Sequence, residues 1–245
     1  MRVLIVGATS AVAEAVAVRL LEQQAVVYCL ARNKDRLAAL VERLGPAVKG
    51  SQCLDFTQTG QVASAVDAAA ECLGGIDIAL IAHGMLPDQL QSEQDIELVK
   101  QTLDCNLLSA IAFLLPLCDL MKLQCSGKIA VITSVAGDRG RPRNFTYAAA
   151  KGGLAIYLQG LRSSLWGCGV QLYTVKMGPV DTPMTATHDK NFSFTSTDRA
   201  ADGIIRALSG RRYEVYVPAY WSPVMWAVRN MPEWLFQRLA FLSAR

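Results

Sequence analysis

Short apolar runs alternate with amphipathic stretches along most of the chain. Continuous apolar runs are typical of parallel strands that are buried on both faces, and they predict strands at residues 3–6, 26–30, 49–54, 76–81, 128–133, 170–175 and 214–217. The stretches between them predict helices at residues 11–23, 36–44, 60–72, 94–122, 145–166 and 198–209, with a kink at Pro116. Strands that alternate with helices at this spacing predict an α/β fold, a Rossmann-like, doubly wound parallel sheet flanked by helices.

The chain reads as one domain followed by a tail. Its 245 residues contain no internal repeat and no linker rich in Ser, Gly or Pro. We therefore expect a single domain over residues 1–217 and an amphipathic tail over residues 218–245. Apolar residues recur in the tail at mostly helical intervals, and Pro232 is expected to separate two short helices. The tail either packs on its own domain or across a dimer, or it lies in a membrane interface.

Composition and charge limit the classes of protein to which this chain can belong. With 52% hydrophobic and 18% charged residues, the chain can bury a sizeable core. The formal charge of +3 is carried by dispersed Lys and Arg, which gives no indication of nucleic acid binding. The seven cysteines lack CxxC spacing, which favours free thiols in a reducing compartment, and no cluster has metal-ligand spacing. We see no signal peptide and no uninterrupted apolar run long enough to span a membrane, and expect a cytoplasmic protein.

The first predicted strand ends in a turn that begins at Gly7. In a dinucleotide-binding fold this turn holds the pyrophosphate on backbone N–H groups at a helix N-terminus. Gly7 permits a tight turn, and Thr9 and Ser10 offer hydroxyl donors. Ala11 and Ala13 stand where further glycines are expected, so close approach of a phosphate requires a negative φ at both. By itself, the turn equally fits an ordinary strand–turn–helix unit.

Residues after the second, third and fourth strands are candidates for cofactor binding. A carboxylate after the second strand usually selects NAD, whereas Arg32 there predicts a bond to a 2′-phosphate, and hence NADP(H) in preference to NAD(H). The alternative for Arg32 is a solvated arginine at a helix start. Asp55 could accept a hydrogen bond from an adenine amino group or cap a helix. Ala82, His83 and Gly84 would let the backbone lie along a cofactor, and His83 is not predicted to be a base.

Tyr147 and Lys151 are separated only by alanines. Their spacing places both side chains on one face of a helix, about one turn apart. A nearby ammonium group favours the phenolate, so we expect a lowered pKa for Tyr147. Taken alone, such a pair is common on solvated helix faces. Ser134 ends the fifth strand, where ligands bind in open α/β sheets, and Asn106 lies in an apolar helix where its amide needs a partner.

With Gly7, Asn106, Ser134, Tyr147 and Lys151 in this order, the chain resembles the short-chain dehydrogenase/reductase family over residues 1–217. The resemblance implies hydride transfer between a nicotinamide and a carbonyl or secondary alcohol, in a homodimer or homotetramer. It implies that Tyr147 is the general acid or base and that Lys151 lowers its pKa and holds the nicotinamide ribose. It further implies that Ser134 binds the substrate oxygen and that Asn106 positions a water molecule.

The resemblance extends to the loop after the sixth strand. Residues 175–185 are similar to the family loop in which Val180 and Thr182 would contact the nicotinamide, although Met177 stands where the family usually has proline. The alanines of the first turn and the Ala82-His83-Gly84 sequence are similar to a subgroup that includes bacterial decaprenylphosphoryl-keto-pentose reductases. That similarity implies a keto-sugar or a lipid-linked sugar as substrate. If the amphipathic tail lies in the membrane interface, it would bring the enzyme to a lipid-linked substrate at the inner membrane face. The alternatives are a 3-oxoacyl thioester, a small ketone, or a nucleotide-binding sensor without turnover.

Overall fold

In the computed structural model, residues 1–186 and 190–239 are described. Seven strands form one parallel sheet: β1 (Arg2–Val6), β2 (Val26–Ala31), β3 (Val48–Cys53), β4 (Ile78–Ile81), β5 (Gly127–Ser134), β6 (Val170–Met177) and β7 (Glu214–Val217). The helices are α1 (Ala11–Glu22), α2 (Lys34–Leu44), α3 (Val62–Leu73), α4 (Gln89–Ser92), α5 (Ile96–Leu103), α6 (Ser109–Leu123), α7 (Phe145–Ser164), α8 (Thr197–Ser209), α9 (Trp221–Asn230) and α10 (Glu233–Arg238). The predicted α/β class with a doubly wound parallel sheet is confirmed.

The order of the strands indicates that a ligand would bind at the carboxyl ends of the central strands. The order is β3-β2-β1-β4-β5-β6-β7, so the winding changes direction between β1 and β4. In such sheets the crevice at the carboxyl ends of those two strands is the usual ligand site. Helices α1, α2 and α8 cover one face of the sheet, and α3, α6 and α7 cover the other. Coverage of both faces explains why the central strands are continuously apolar.

The predicted elements agree with the structure to within two residues at every end, except in the longest helix. There, α5 and α6 are joined by a π-helical turn at Asp104–Leu108. Pro116 lies inside α6, where its missing N–H removes one α-helical hydrogen bond, and the π-helical turn is a second irregularity, which was not predicted. A π-helical turn is a common cause of helix bending, and it has no signature in hydrophobic periodicity.

The combined helix Ile96–Leu123 is long and apolar enough to span a membrane when judged by length and composition alone. Of its most apolar window, 44% is buried within the protein. Phe113 and Leu114 are fully buried against the sheet. This helix is therefore accounted for as a core helix of the domain.

The tail folds as two short helices, α9 and α10, on either side of Pro232, as the sequence predicts. Met225, Val228 and Phe236 are buried and form a small cluster with Val135, the residue that follows β5. The inner face of the tail is thus packed on its own domain. Residues 187–189 and residues 240–245 at the end of the tail lie outside the described residues.

Candidate active site

The candidate residues lie together at the carboxyl edge of the sheet. Gly7 follows β1, Gly84 comes shortly after β4, and Ser134 is the last residue of β5. Met177, the last residue of β6, is the register partner of Ser134, so the loop that follows β6 begins beside it. Because all these strands are parallel, their ends meet at the same edge, where side chains from several loops can act on one ligand.

A close contact between two glycines brings α7 against the segment that follows Ser134. A Cβ atom on Gly137 would lie 2.6 Å from the backbone nitrogen of Gly152, a distance that real Cβ atoms do not adopt. Gly152 directly follows Lys151, so this contact sets how near the helix comes to Ser134. The contact between the two glycines was not predicted from the sequence, although the glycine that follows Lys151 is a visible signal of close packing.

Tyr147 is half-buried at the start of α7 and faces Ser134. Burial raises the pKa of Tyr147 to about 12, while a hydrogen bond with Ser134 acts in the opposite direction. The expected lowering of the pKa by Lys151 is wrong for the free protein, because the ammonium nitrogen lies 5.9 Å from the centroid of the phenol ring. The phenol is therefore protonated at neutral pH and can donate a proton.

Lys151 is 3% exposed and lies on the face of α7 that meets the sheet. Its Nζ donates a hydrogen bond to the backbone oxygen of Ile132 at 3.1 Å. Burial lowers the pKa of Lys151 to about 8, with Cys105 acting weakly in the other direction. A buried ammonium with one protein acceptor retains donors for a ligand.

Asn106 lies in the π-helical turn between α5 and α6. Its Oδ1 accepts a hydrogen bond from the backbone nitrogen of Met85 at 3.0 Å, and its Nδ2 donates to the backbone oxygen of Met85 at 2.9 Å. A further bond joins Nδ2 to the backbone oxygen of Thr102 at 3.0 Å. The amide therefore has the partners that its burial requires, and it fixes the chain just after Gly84.

The turn after β1 has the geometry of a phosphate site. Gly7 has a φ of +83°, and a Cβ atom there would lie 2.7 Å from the backbone nitrogen of His83. Ala11 and Ala13 are both in α1 and have ordinary helical backbones, so the missing glycines are not needed for this turn. Ser10 is the N-cap residue of α1, yet its hydroxyl makes no capping bond, and the neighbouring Thr9 is partly exposed. A phosphate group would find backbone N–H groups and hydroxyls here.

Arg32 and Asp55 line one cavity of about 300 Å³ at the ends of β2 and β3. Arg32 is exposed and makes no salt bridge with any described residue. Asp55 Oδ1 accepts hydrogen bonds from the backbone and hydroxyl of Thr57, and these bonds lower the pKa of Asp55. Met85 and Cys105 also line the cavity, and Arg32 Nη1 lies 3.9 Å from Cys105 Sγ. A cation and a carboxylate at the ends of β2 and β3 suit the adenosine half of a dinucleotide.

Ala82 and His83 connect the end of β4 to Gly84. The backbone nitrogen of Ala82 donates to Val6 at 2.9 Å, which continues the pairing of β4 with β1. His83 is 8% exposed, and burial lowers its pKa to about 3. This histidine stays neutral at physiological pH.

Val180 and Thr182 lie in the loop that follows β6. Val180 pairs with Thr195 through an isolated β-bridge, which holds the loop against the later segment. Thr182 immediately precedes a short 3₁₀ helix and is partly buried. Because the loop begins beside Ser134, both residues are in the region where a nicotinamide would lie.

The tail closes one side of this region. The indole of Trp221 lies directly on Gly178, so closely that a Cβ atom on the glycine would overlap it. The hydroxyl of Tyr220 donates to the backbone oxygen of Ser193 at 2.9 Å. Trp221 also packs against the cluster that contains Val135, next to Ser134. Sequence periodicity predicted the helices of the tail but not this position beside the candidate site.

Four buried polar side-chain atoms have no hydrogen-bond partner in the part of the chain that the structure describes: His83 Nδ1, Arg141 Nε, Asn144 Oδ1 and Trp221 Nε1. Arg141 and Asn144 lie in the loop between Ser134 and Tyr147, and Trp221 lies on the loop after β6. Buried polar groups are normally paired. Two donors and one acceptor in segments that flank the candidate site thus lack hydrogen-bond partners among the described residues.

No group of three or more His, Cys, Asp or Glu residues that could hold a metal ion occurs within residues 1–186 and 190–239. The chemistry of the donors described above is that of a dinucleotide site with a proton donor. Backbone N–H groups at Gly7, the cation at Arg32 and the buried ammonium of Lys151 all fit parts of such a cofactor.

Comparison with known proteins also indicates a dehydrogenase. The model of the family described as short chain dehydrogenase matches residues 1–192. An uncharacterized oxidoreductase of Streptomyces coelicolor is 32% identical over 243 residues, which cover 96% of this chain and 94% of that protein. The ketoacyl reductase HetN of Nostoc sp. is 27% identical over 226 residues, which cover 88% of this chain and 77% of that protein.

Two solved structures share the fold. A short chain dehydrogenase from Burkholderia cenocepacia in complex with NADP has a TM-score of 0.85 and 23% identity, with 97% of this chain and 96% of that chain covered. A short chain dehydrogenase from Mycobacterium paratuberculosis bound to NAD has a TM-score of 0.79 and 19% identity, with 88% and 96% covered. The two differ in the bound nucleotide, so the fold does not decide between NADP and NAD.

Proposed function

This chain belongs to the short-chain dehydrogenase family, and we propose that it is an NADP(H)-dependent oxidoreductase that interconverts a carbonyl and a secondary alcohol. The observation that carries the proposal is the placement of a half-buried Tyr147 and a buried Lys151 one turn apart on α7, with Tyr147 bonded to Ser134. That helix is brought there by the contact between Gly137 and Gly152. A sensor without turnover has no need of this proton-transfer set, which argues against the non-catalytic alternative.

Each side chain has a role that its surroundings support. Tyr147 donates its proton to the carbonyl oxygen during reduction and removes a proton from the alcohol in the reverse direction. Ser134 holds the same oxygen and, through its bond to the phenol, favours release of the proton. Lys151, as a buried cation, stabilises negative charge on the phenol when the proton leaves. Asn106 bonds to the backbone of Met85, and we propose that it also positions a water molecule that links Lys151 to the solvent.

Bound NADPH would supply the hydride. Gly7, Thr9, Ser10 and Ala11 would hold its pyrophosphate, and Lys151 would hold its nicotinamide ribose. Arg32 is exposed, and among the described residues it makes no salt bridge and only a long hydrogen bond from Nη1 to Cys105 Sγ at 3.9 Å, which favours the 2′-phosphate and hence NADP(H) over NAD(H). The remaining candidates would contact the adenosine or the nicotinamide of the cofactor. They are Asp55, Ala82, His83, Gly84, Val180 and Thr182.

For the substrate we propose a keto-sugar or a lipid-linked sugar. A hydroxylated substrate can both accept and donate hydrogen bonds. The unpaired donors of Arg141 and Trp221 and the unpaired acceptor of Asn144 belong to the loop between Ser134 and Tyr147 and to the tail that packs on Val135, and we assign them to such a substrate. A 3-oxoacyl thioester is the second candidate, because the Nostoc relative named a ketoacyl reductase covers most of the chain.

The proposal is tested by following NADPH oxidation by the full chain with three substrate classes: keto-sugars, 3-oxoacyl thioesters and small ketones. We expect turnover with keto-sugars at the highest kcat/KM. Preference for 3-oxoacyl thioesters would keep the reaction type and replace the substrate. Tight binding of NADPH without oxidation by any class would support the sensor instead.

We further propose that the protein is cytoplasmic and that the outer face of the tail can contact a membrane. Trp226 and Trp234 are 70% and 61% exposed on α9 and α10, and Arg229 and Arg238 flank them. Tryptophan and arginine in this arrangement suit the interface of an anionic bilayer. Flotation with vesicles that contain anionic lipid, comparing the full chain with a Trp226→Ser, Trp234→Ser variant, tests the idea. Equal recovery of the two proteins with the vesicles would remove it.

A further inference from the structure

We propose that His83 is a positioning residue, which fixes the π-helical turn bearing Asn106 through a hydrogen bond to Ser109. The proposal rests on the function assigned above to Asn106 and Lys151. It concerns the side chain of His83, whose role there is separate from any contact of its backbone with a cofactor.

The bond between His83 and Ser109 is short and buried. His83 Nε2 lies 2.7 Å from Ser109 Oγ, and both residues are at most 8% exposed. The ring of His83 also packs on Phe56 at 4.8 Å and on Phe113 at 5.9 Å between ring centroids. An aromatic ring held on two sides has one orientation available, so the hydrogen bond has a fixed direction.

Ser109 completes the hydrogen bonding of the π-helical turn. Its backbone N–H bonds to the oxygen of Asp104, five residues earlier, as expected for a π-helix. Its hydroxyl instead donates to the backbone oxygen of Cys105, four residues earlier, at 2.7 Å. The hydroxyl therefore satisfies a carbonyl of the turn, and its position affects the geometry of the whole segment.

The direction of the bonds follows from the single hydroxyl proton of Ser109. Since that proton goes to Cys105, His83 must donate from Nε2–H, which leaves Nδ1 as a lone-pair acceptor. Nδ1 has no partner among the described residues. An unpaired acceptor costs less than an unpaired donor would, so this tautomer is the one we assign.

The same turn is held from its other side by Asn106. Both backbone groups of Met85 bond to the Asn106 amide. His83 therefore contacts the turn at Ser109, and Met85 contacts it at Asn106. Gly84 lies between them, and a Cβ atom there would be 2.7 Å from Asn106 Oδ1 and 3.5 Å from Lys151 Nζ. A shift of the turn would therefore change the surroundings of the Lys151 ammonium directly.

Four variants test the proposal. His83→Phe keeps a ring of similar size and removes the hydrogen bond, and Ser109→Ala removes it from the other side. His83→Gln retains an N–H donor at similar reach and serves as the rescue. Phe113→Leu is the matched control, because it removes a ring contact of His83 and leaves the bond to Ser109 in place.

Two readouts are needed, one of them independent of the reaction. In the free protein, amide hydrogen exchange at Met85 and across residues 102–109 should become faster in His83→Phe and Ser109→Ala, but not in Phe113→Leu or His83→Gln. In the active enzyme, the first two variants should lose on the order of tenfold in kcat, the effect of about one hydrogen bond. The KM for NADPH should stay within about twofold, because the packing of Gly7 on the backbone of residue 83 is kept.

Equal exchange rates and kcat values in all four variants and the native protein would overturn the proposal. It would also fail if Phe113→Leu changed both readouts as much as His83→Phe does, since His83 would then act by packing alone. Absence of any NADPH oxidation by the native protein would instead contradict the proposed function. The exchange experiment would still decide whether His83 fixes the turn.

Discussion

The buried ammonium of Lys151 destabilises the folded protein and also has a chemical role in the candidate site. A buried lysine whose pKa is lowered to about 8 disfavours the folded state at neutral pH, where the unfolded chain holds the proton more readily. Replacing Lys151 with an apolar residue would remove that cost together with the cation that stabilises the phenolate. Strained or costly groups of this kind are concentrated at functional sites.

The pH dependence follows from the lowered pKa of Lys151. We expect kcat/KM for NADPH, which reflects the free enzyme, to fall as the pH rises through about 8, because the ammonium loses its proton. Stability should change in the opposite direction. Between pH 8 and 10.5 the unfolded state binds more protons than the folded state, so this group makes the protein more stable as the pH rises. Activity profiles and urea titrations at several pH values measure both trends, and an activity that stays constant from pH 7 to 10 would contradict the assignment.

Arg32 provides the prediction on cofactor choice. Arg32→Ala should weaken NADPH binding by about 10- to 100-fold, the loss of charge-assisted hydrogen bonds to a phosphate, and leave NADH binding nearly unchanged. Titration calorimetry with both nucleotides measures the difference. Lys34→Ala, a neighbouring cation at the start of α2, is the control and should have a much smaller effect. An equal loss of affinity for the two nucleotides would mean that Arg32 does not bind the 2′-phosphate.

At the scale of elements, the tail is fastened to the segment after Ser134 by one arginine. Arg139 Nη1 donates to the backbone oxygens of Val228 and Met231, both at 2.6 Å, and Nη2 bonds to Glu233 at 2.6 Å. Its guanidinium also lies 3.9 Å from the ring centroid of Phe236. The carbonyls at the end of α9 are thereby satisfied by a side chain from another part of the domain.

Arg139→Ala should therefore destabilise the protein by about 2 kcal/mol, which corresponds to a decrease in Tm of roughly 4–8 °C for a chain of this size. The exposed Arg229→Ala on α9 is the control and should leave Tm within about 1 °C. Differential scanning calorimetry measures both. If the two variants had the same Tm as the native protein, the contacts of Arg139 would not hold the tail.

These elements also mark what can be predicted from the sequence. Residues 145–166 were expected to be helical because apolar periodicity, Ala and Lys all favour a helix, and α7 ends two residues earlier. The π-helical turn was not predicted, because its stabilising contacts join Asn106 to Met85, 21 residues away. The position of the tail on Val135 was likewise not predicted, because amphipathicity reveals an apolar face but not the surface that it covers.

Among the site residues, the family resemblance identified those that the individual patterns left open. Ser134, Tyr147 and Lys151 were recognised as a set, and the structure brings them together at one edge of the sheet. The sign of the pKa shift of Tyr147 was not predicted correctly, since burial depends on neighbours that are distant in the sequence. Sequence alone likewise could not predict the contacts of His83, for the same reason.

For the whole molecule, an apolar surface on α6 and α7 predicts self-association. Leu108 at the end of the π-helical turn, Leu115 on α6 and Ile156 on α7 are 50%, 56% and 71% exposed, and α6 and α7 cover the same face of the sheet. Exposed apolar residues on neighbouring helices favour a symmetric contact with a second copy. We expect a dimer in light scattering coupled to size-exclusion chromatography, and a monomer when Leu115 and Ile156 are both changed to Glu. Val18→Glu on α1, on the opposite face of the sheet, is the control and should remain a dimer; a monomeric native protein would contradict the prediction.

The central claim is that Tyr147 transfers the proton in a reaction that consumes NADPH. The most direct test compares NADPH oxidation by the native protein and by Tyr147→Phe, each saturated with NADPH and with the best carbonyl substrate, after binding of NADPH to both has been measured. We predict that Tyr147→Phe binds NADPH with unchanged affinity and loses turnover by roughly 10²- to 10⁴-fold, the contribution of a general acid. Turnover by Tyr147→Phe at the native rate would contradict the account.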